Sequence, residues 1–152
     1  MNIRAARRDD FEDVARLLDE LGRPKILGEP HEDDCRVIYE EQVVSPGTHH
    51  MVAEDAPGLP GIIGFCSLHF RTRLNFGTEE AWIPDLIVTE RARRVGIGRA
   101  LLDEAERRAR EHGCHYITLE SGYRRAEAHH MYLSARMRDT GKQFGKELRP
   151  LA

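Results

Sequence analysis

The sequence predicts an α/β fold: a mixed sheet flanked by helices, in the order β-α-α-β-β-β-α-β-α-β. Three observations carry that prediction. Helical periods and short strand-like runs interleave along the chain instead of separating into an all-α and an all-β half. Glycine, proline and aspartate clusters punctuate them, as at Ser45-Pro46-Gly47 and Asp55-Ala56-Pro57-Gly58. A run ending at Val88 feeds through two closely spaced glycines, Gly96 and Gly98, directly into the best helical pattern of the chain.

Ile3 to Ala5 begins the first strand. Asp9 is an N-cap candidate, with Glu12 three residues on completing a capping box. Phe11, Val14, Leu17, Leu18 and Leu21 then recur at three- and four-residue steps until Gly22 stops the helix. Gly22 to Pro30 is a loop. A second helix is expected over Glu32 to Val43, turning Cys35, Ile38 and Val43 to the core. Three strands follow, at His50–Glu54, Ile62–Phe70 and Ala81–Val88. Pro84 falls inside the third, where a paired central strand cannot spare an N–H, so an edge, a bulge or a splay is expected there. The helix after Gly98 runs through His112. Leu101, Leu102, Ala105 and Ala109 form its apolar stripe, and acids precede bases at i,i+4 (Asp103–Arg107, Glu104–Arg108, Glu106–Arg110). Gly113 caps it. His115–Leu119 reads as a strand, Ala126–Ala135 as a helix and Gln143–Leu148 as a last strand.

With 152 residues the chain makes one domain, residues 1–152, able to bury roughly 68–70% of its unfolded surface without staples. Apolar residues are 40% and charged residues 32%, the balance of a soluble globular protein. No apolar run approaches the ~20 residues that span a bilayer, and no signal-peptide pattern opens the sequence. Three cysteines, an odd number without CxxC spacing, read as free thiols in a reducing cytoplasm. A formal charge of −3 argues against a nucleic-acid partner. Eight histidines show no HExxH or Cys/His quartet, so no metal is expected. Cys66 and Cys114 read as small core residues.

Charge is nonetheless uneven. Arginines crowd at Arg91, Arg93, Arg94 and Arg99; acids crowd from Glu29 through Glu32, Asp33 and Asp34. The arginines surround the turn Arg93-Arg94-Val95-Gly96-Ile97-Gly98-Arg99-Ala100, between a strand and a helix. Free amides at a helix N-terminus, with the macrodipole behind them, bind phosphate. Glycine lets the backbone approach the anion, and arginines add charge-assisted hydrogen bonds. A dinucleotide fingerprint would need a third glycine near Leu101, and a P-loop would need Gly-Lys-Ser/Thr; the sequence has neither.

Arg93-Arg94-Val95-Gly96-Ile97-Gly98 resembles the Gln/Arg-x-x-Gly-x-Gly/Ala motif of the GNAT superfamily of N-acetyltransferases, and Ile83 to Val88 resembles that family's splayed fourth strand. The element order extends the resemblance over nearly the whole chain. It implies the GNAT fold, with the turn from Arg93 to Ala100 holding the pyrophosphate of acetyl-CoA. It also implies that Leu86, Ile87 and Val88 pair with the pantetheine amides as an added strand would. A second motif, Arg124-Arg125-Ala126-Glu127-Ala128-His129-His130-Met131-Tyr132, resembles the family's Asn-x-x-Ala-x-x-Phe-Tyr helix. It departs from that pattern in lacking the asparagine, in Met131 and in Ala135-Arg136-Met137. By resemblance Tyr132 is the general acid for the leaving sulfur.

Asp85 stands where the family often carries an acid, and is the first choice for the base that takes the amine proton, ahead of Glu79 and Glu80. Glu29, Glu32 and Asp33 are placed to attract a cationic acceptor; the alternative is a solvated helix start. The sequence therefore reads as an N-acetyltransferase moving acetyl from acetyl-CoA, its cosubstrate, to a primary amine on a small cationic molecule, in a ternary complex. The alternative is a non-catalytic acyl-CoA-binding or sensing domain of the same fold. The resemblance is also compatible with a homodimer.

Overall fold

The computed structural model describes residues 1–120 and 126–150. Arg124 and Arg125, which open the second motif, lie outside the described residues. Contacts divide the chain into two units, Met1–Leu119 and Glu120–Ala152.

The first unit holds two sheets. Strands β1 (Asn2–Ala5), β2 (Met51–Ala56), β3 (Leu59–Cys66) and β6 (Leu86–Val88) form one, all antiparallel, in the order β1-β2-β3-β6. Strands β4 (His69–Arg73), β5 (Thr78–Ile83) and β7 (Ile117–Leu119) form the other, in the order β4-β5-β7, with β5 and β7 parallel. Two single strands expected from the sequence are thus each two. Ile62–Phe70 divides after Cys66, and Ala81–Val88 divides at Pro84-Asp85, sending its halves into different sheets. Pro84 has no N–H to lend to a ladder, so the ladder breaks there.

Helix α1 (Phe11–Glu20) is preceded by a 3₁₀ turn over Arg8–Asp10. The expected Asp9/Glu12 capping box is not what starts it: the Arg7 N–H donates to Asp10 Oδ2 at 2.7 Å. The same carboxylate meets Arg4, which also reaches Glu54 (2.8 and 2.9 Å), stapling β1 to the helix start and to β2. Helix α2 (Glu32–Val44) buries Tyr39, whose hydroxyl donates to the Arg7 carbonyl, while Ile38 is half exposed. Val43 and Cys35 pack at the edge of the core as expected. The core gathers Phe11, Val14, Leu17, Val52, Phe65 and Ile87 between α1 and the first sheet.

Helix α3 (Ile97–His112) lays Leu101, Leu102, Ala105 and Ala109 inward, and Gly113 ends it at φ +89°. Leu101 can approach β3 because Gly64 stands opposite; a Cβ there would meet Leu101 Cδ1 at 3.0 Å. Of the expected ion pairs, Glu104–Arg108 and Glu106–Arg110 form, while Asp103 turns back to Arg99. Cys66 is fully buried and Cys114 only partly.

The second unit contains α4 (Ala126–Ser134), on which Tyr132 is buried. The strand expected over Gln143–Leu148 is absent among the described residues; its two large apolar side chains, Phe144 and Leu148, are both 90% exposed, so no face exists to bury. No helix among the described residues is long and apolar enough to cross a membrane.

Candidate active site

β6 is the edge strand of its sheet. It pairs with β3 in the register Cys66↔Leu86, Phe65↔Ile87 and Gly64↔Val88. Ser67 N–H donates to Asp85 O and Thr89 N–H to Ile63 O, both outside the strand proper. Alternation then turns the odd-numbered residues' backbone groups towards β3 and those of Leu86 and Val88 outwards. The Leu86 and Val88 peptide groups thus point away from β3, on the side where an added extended chain could pair. Arg93 Nε already occupies the Val88 carbonyl at 3.0 Å.

A single 3₁₀ turn over Glu90–Ala92 follows β6. Its exit is fixed by Ala92, buried, and by Glu20 on α1, which accepts from the Thr89 hydroxyl (2.9 Å) and the Glu90 N–H (3.2 Å). Arg94 then takes φ +67° and Gly96 φ +87°, both left-handed, and α3 starts at Ile97. Such reversals bring successive amides to one side, and the first-turn N–H groups of a helix have no carbonyl behind them. No side chain caps α3 and no acid stands in its first turn, so the positive end of the dipole is left to the surroundings. Arg93, Arg94, Val95, Gly96 and Arg99 are exposed around it, Ala100 and Gly98 are partly so, and Ile97 anchors the turn in the core. The turn thus gathers an uncapped helix start and exposed arginines directly after the edge strand. The structure brings every cofactor residue read from the sequence, Leu86 to Val88 and Arg93 to Ala100, onto this one segment.

Asp85 occupies the corner between β5 and β6. Its Oδ1 accepts from Arg23 Nε at 2.7 Å, and Arg23 also donates to the Pro84 carbonyl at 2.9 Å. Its N–H donates to Ser67 Oγ at 2.9 Å. The other candidate bases are also engaged. Glu80 is buried between Arg71 (2.6 Å) and Arg73 (2.9 Å), and Glu79 meets His112 Nε2 at 3.1 Å. Burial, with Asp85 adding, pushes the Cys66 thiol far above its usual range, so it is not a thiolate nucleophile.

Around Asp85 stands a set of rings that the sequence did not single out. His50, His69 and Trp82 form a row, the first pair edge-on and the second tilted, with centroid separations of 5.2 and 5.4 Å, and Arg71 lies over the Trp82 ring at 4.8 Å. Burial, with the neighbouring His69 and His49, pushes His50 down to about 4. Burial also lowers His69, with Asp85 opposing and Arg71 reinforcing the shift.

The acids at 29–34 are divided in role. Glu32 Oε1 accepts from the Gly28 N–H at 2.8 Å and Glu32 also faces Arg36, closing the turn before α2; Glu29, Asp33 and Asp34 are exposed. Tyr132 belongs to the second unit. A cleft of about 320 Å³ lies elsewhere, along Arg8, Arg16, Arg36 and Glu40; Arg8 pairs there with Glu40 and Arg16 with Asp13. Arg23, Ser67, Glu20 and Thr89 were not legible as site residues, because each acts through a partner at least 18 positions away in the chain.

Residues 11–136 match the model of the acetyltransferase (GNAT) family. An aminoalkylphosphonate N-acetyltransferase from Salmonella typhimurium is 26% identical over 146 residues, 96% of this chain and 90% of that protein. The N-acetyltransferase YhdJ of Bacillus subtilis is 43% identical over 54 residues, only 36% of this chain and 38% of that relative. Among solved structures, glucosamine-6-phosphate N-acetyltransferase from Arabidopsis thaliana superposes with a TM-score of 0.79 at 19% identity, covering 97% of this chain and 98% of that one. At that identity the likeness speaks for the fold alone.

Proposed function

The chain belongs to the GNAT acetyltransferase family, and on that premise we propose that it transfers the acetyl group of acetyl-CoA directly to a primary amine on a small molecule, in a ternary complex. The observation that carries the proposal is the continuous segment from Leu86 to Ala100: an open strand edge, two left-handed residues and an uncapped helix N-terminus ringed by arginines. The residues fit the cosubstrate's two kinds of polar group. Leu86 and Val88 offer outward peptide groups to the pantetheine amides, and the Gly96–Ala100 turn with Arg93, Arg94 and Arg99 offers N–H groups and positive charge to the pyrophosphate.

Acetyl-CoA supplies an already activated thioester, so no covalent enzyme intermediate is needed and positioning carries much of the rate. Asp85, at the corner where the strand leaves one sheet for the other, provides the negative charge that receives the acceptor's ammonium group. Its pairing with Arg23 keeps it oriented until the amine arrives. Tyr132, by its place in the second motif, donates the proton that the departing sulfur needs. The relative named for an aminoalkylphosphonate supports a small amine acceptor. The exposed Glu29 and Asp33 support a cationic one. Because the family match runs from residue 11 to 136, across both units, we treat the whole chain as one acetyltransferase domain. The three free cysteines support a reducing, cytoplasmic setting.

The first experiment is thermal. Acetyl-CoA should raise the melting temperature of the wild-type chain, as a native-state ligand does. Gly98→Val should abolish the rise yet fold. Gly98 lies in the first turn of α3 and is not among the left-handed glycines, whereas any side chain at Gly96 would also strain the backbone. An undiminished shift in the variant places the cosubstrate elsewhere. Release of free thiol on adding amines then separates an enzyme from a domain that only binds acyl-CoA.

A further inference from the structure

We propose that His69 is the group that takes the proton from the acceptor amine, with Asp85 held beside it by Arg23 as its electrostatic partner. The inference rests on the acetyl-transfer reading above and adds a residue to it. Its ground is a contrast among the groups at the β5/β6 corner. Every carboxylate there is engaged: Asp85 with Arg23, Glu80 between Arg71 and Arg73, Glu79 with His112. His50 is engaged as well. It is buried, its Nδ1 accepts from the Leu68 N–H at 3.2 Å, and its Nε2 therefore donates to Gln42 Oε1 at 2.7 Å. His69 differs. Among the described residues neither of its ring nitrogens has a hydrogen-bond partner, and the side chain is half-buried and reachable from solvent.

Its place in the sheets is the second support. Ser67 faces Asp85 and His69 faces Trp82, so His69 flanks the Pro84-Asp85 corner between β5 and β6. The ring is held between His50 and Trp82 rather than swinging freely. The charged groups that bear on it are Asp85, which favours the imidazolium, and Arg71, which opposes it; His50 beside it is neutral, pushed down to about 4. Burial outweighs Asp85, so His69 is neutral at neutral pH and ready to accept.

The step balances. The acceptor ammonium gives one proton to a His69 ring nitrogen and keeps the N–H electron pair. That pair forms the new C–N bond to the acetyl carbon while the C–S bond breaks, its electrons leaving on sulfur. The nitrogen gives up a second proton as the neutral amide forms, and that loss balances the proton the sulfur takes up. His69 returns its proton to water. Nothing is oxidised or reduced.

The test uses the full chain with acetyl-CoA and two probe amines, 2-aminoethylphosphonate and spermidine, reading thiol release from pH 5.5 to 9. In wild type, kcat/KM should fall on the acidic side as His69 becomes charged. His69→Gln should lower kcat at least tenfold, since general base help is typically worth 10²–10⁴-fold. It should also flatten the acidic limb and leave the acetyl-CoA melting shift unchanged. His69→Ala should regain part of its rate when imidazole is added to the buffer, which a packing role would not produce. Wild-type rate and pH limb in His69→Gln overturn the proposal. So does a loss of rate with the limb intact and no imidazole rescue. If wild type binds acetyl-CoA but acetylates neither probe, the transfer reading itself falls, and this proposal with it.

Discussion

Lowering the pH from 7.5 to 5 should cost the folded chain about 2 kcal/mol through one side chain, His50. The ring is 5% exposed and both of its nitrogens are committed: Nδ1 receives the Leu68 N–H and Nε2 meets Gln42 Oε1. A proton on Nδ1 would face a donor with a donor and put a charge against Phe65 and His69. Burial accordingly pushes the group down to about 4, against about 6.5 in an unfolded chain. Because the unfolded state binds the proton first, stability is fully present above pH 6.5 and drains away as the pH falls towards 4. Integrated over the two values, the loss is about 2 kcal/mol at pH 5 and about 3 kcal/mol at pH 4. The carboxylates that Arg4 and Arg107 hold low, Glu54 and Glu104 among them, contribute below that window. The pH range from 6.5 to 5 therefore isolates the histidines.

The assay is urea unfolding at pH 7.5, 6.0 and 5.0 in wild type and in His50→Gln, whose amide can still accept one hydrogen bond and donate another. The midpoint should move and the slope m should not. The variant should be less stable at pH 7.5 but lose about 2 kcal/mol less than wild type on going to pH 5. His49 and His69, lowered in the same direction, remain in both proteins and cancel in the difference. Equal losses in the two proteins would refute the reasoning, because they would mean that His50 is charged in the fold at little cost.

Two further outcomes follow from the site. Tyr132→Phe should lower kcat at least tenfold and leave the acetyl-CoA Kd nearly unchanged, since general acid help is typically worth 10²–10⁴-fold and a tyrosine hydroxyl is protonated at neutral pH; near-wild-type kcat would leave Tyr132 a packing role only. Asp33→Asn with Asp34→Asn should raise KM for spermidine several-fold at low salt and little at high salt, because both acids are exposed and steering is screened. Glu32 is left in place because it closes the Gly28 turn. An unchanged KM would make these acids a solvated helix start.

What could be read from the sequence is what depends on near neighbours. Gly96 and Gly98 sit within one turn of the helix they open, Pro84 acts on its own ladder position, and the Leu101-Leu102-Ala105-Ala109 stripe repeats over one helix. Each was legible because the physics that fixes it involves residues a few positions apart. Arg23 could not be assigned to Asp85, 62 residues away, nor Arg71 and Arg73 to Glu80, because those pairings exist only once the strands have chosen their register. The row of rings His50, His69 and Trp82 is hidden for the same reason. The failed expectation at Gln143–Leu148 has the opposite cause: its local pattern was read as a strand, but two apolar residues gave it no face to bury.

The same division explains why the site sits where it does. An edge strand with outward peptide groups is a hazard in a folded protein, and most sequences cover or charge such an edge. Here two omissions of ordinary chemistry produce it. Pro84 withholds an N–H and ends β5, so that Leu86 to Val88 turns into the other sheet and stops at its edge. Gly64, opposite Val88, withholds a side chain, which lets Leu101 press α3 close behind that strand. The uncapped start of α3 is then carried to the end of the open edge, with Glu20 tying the connecting turn to α1. Edge and helix start are useful together and a liability apart, so their joint placement by Pro84 and Gly64 is what supports the proposed acetyl-CoA site along this segment.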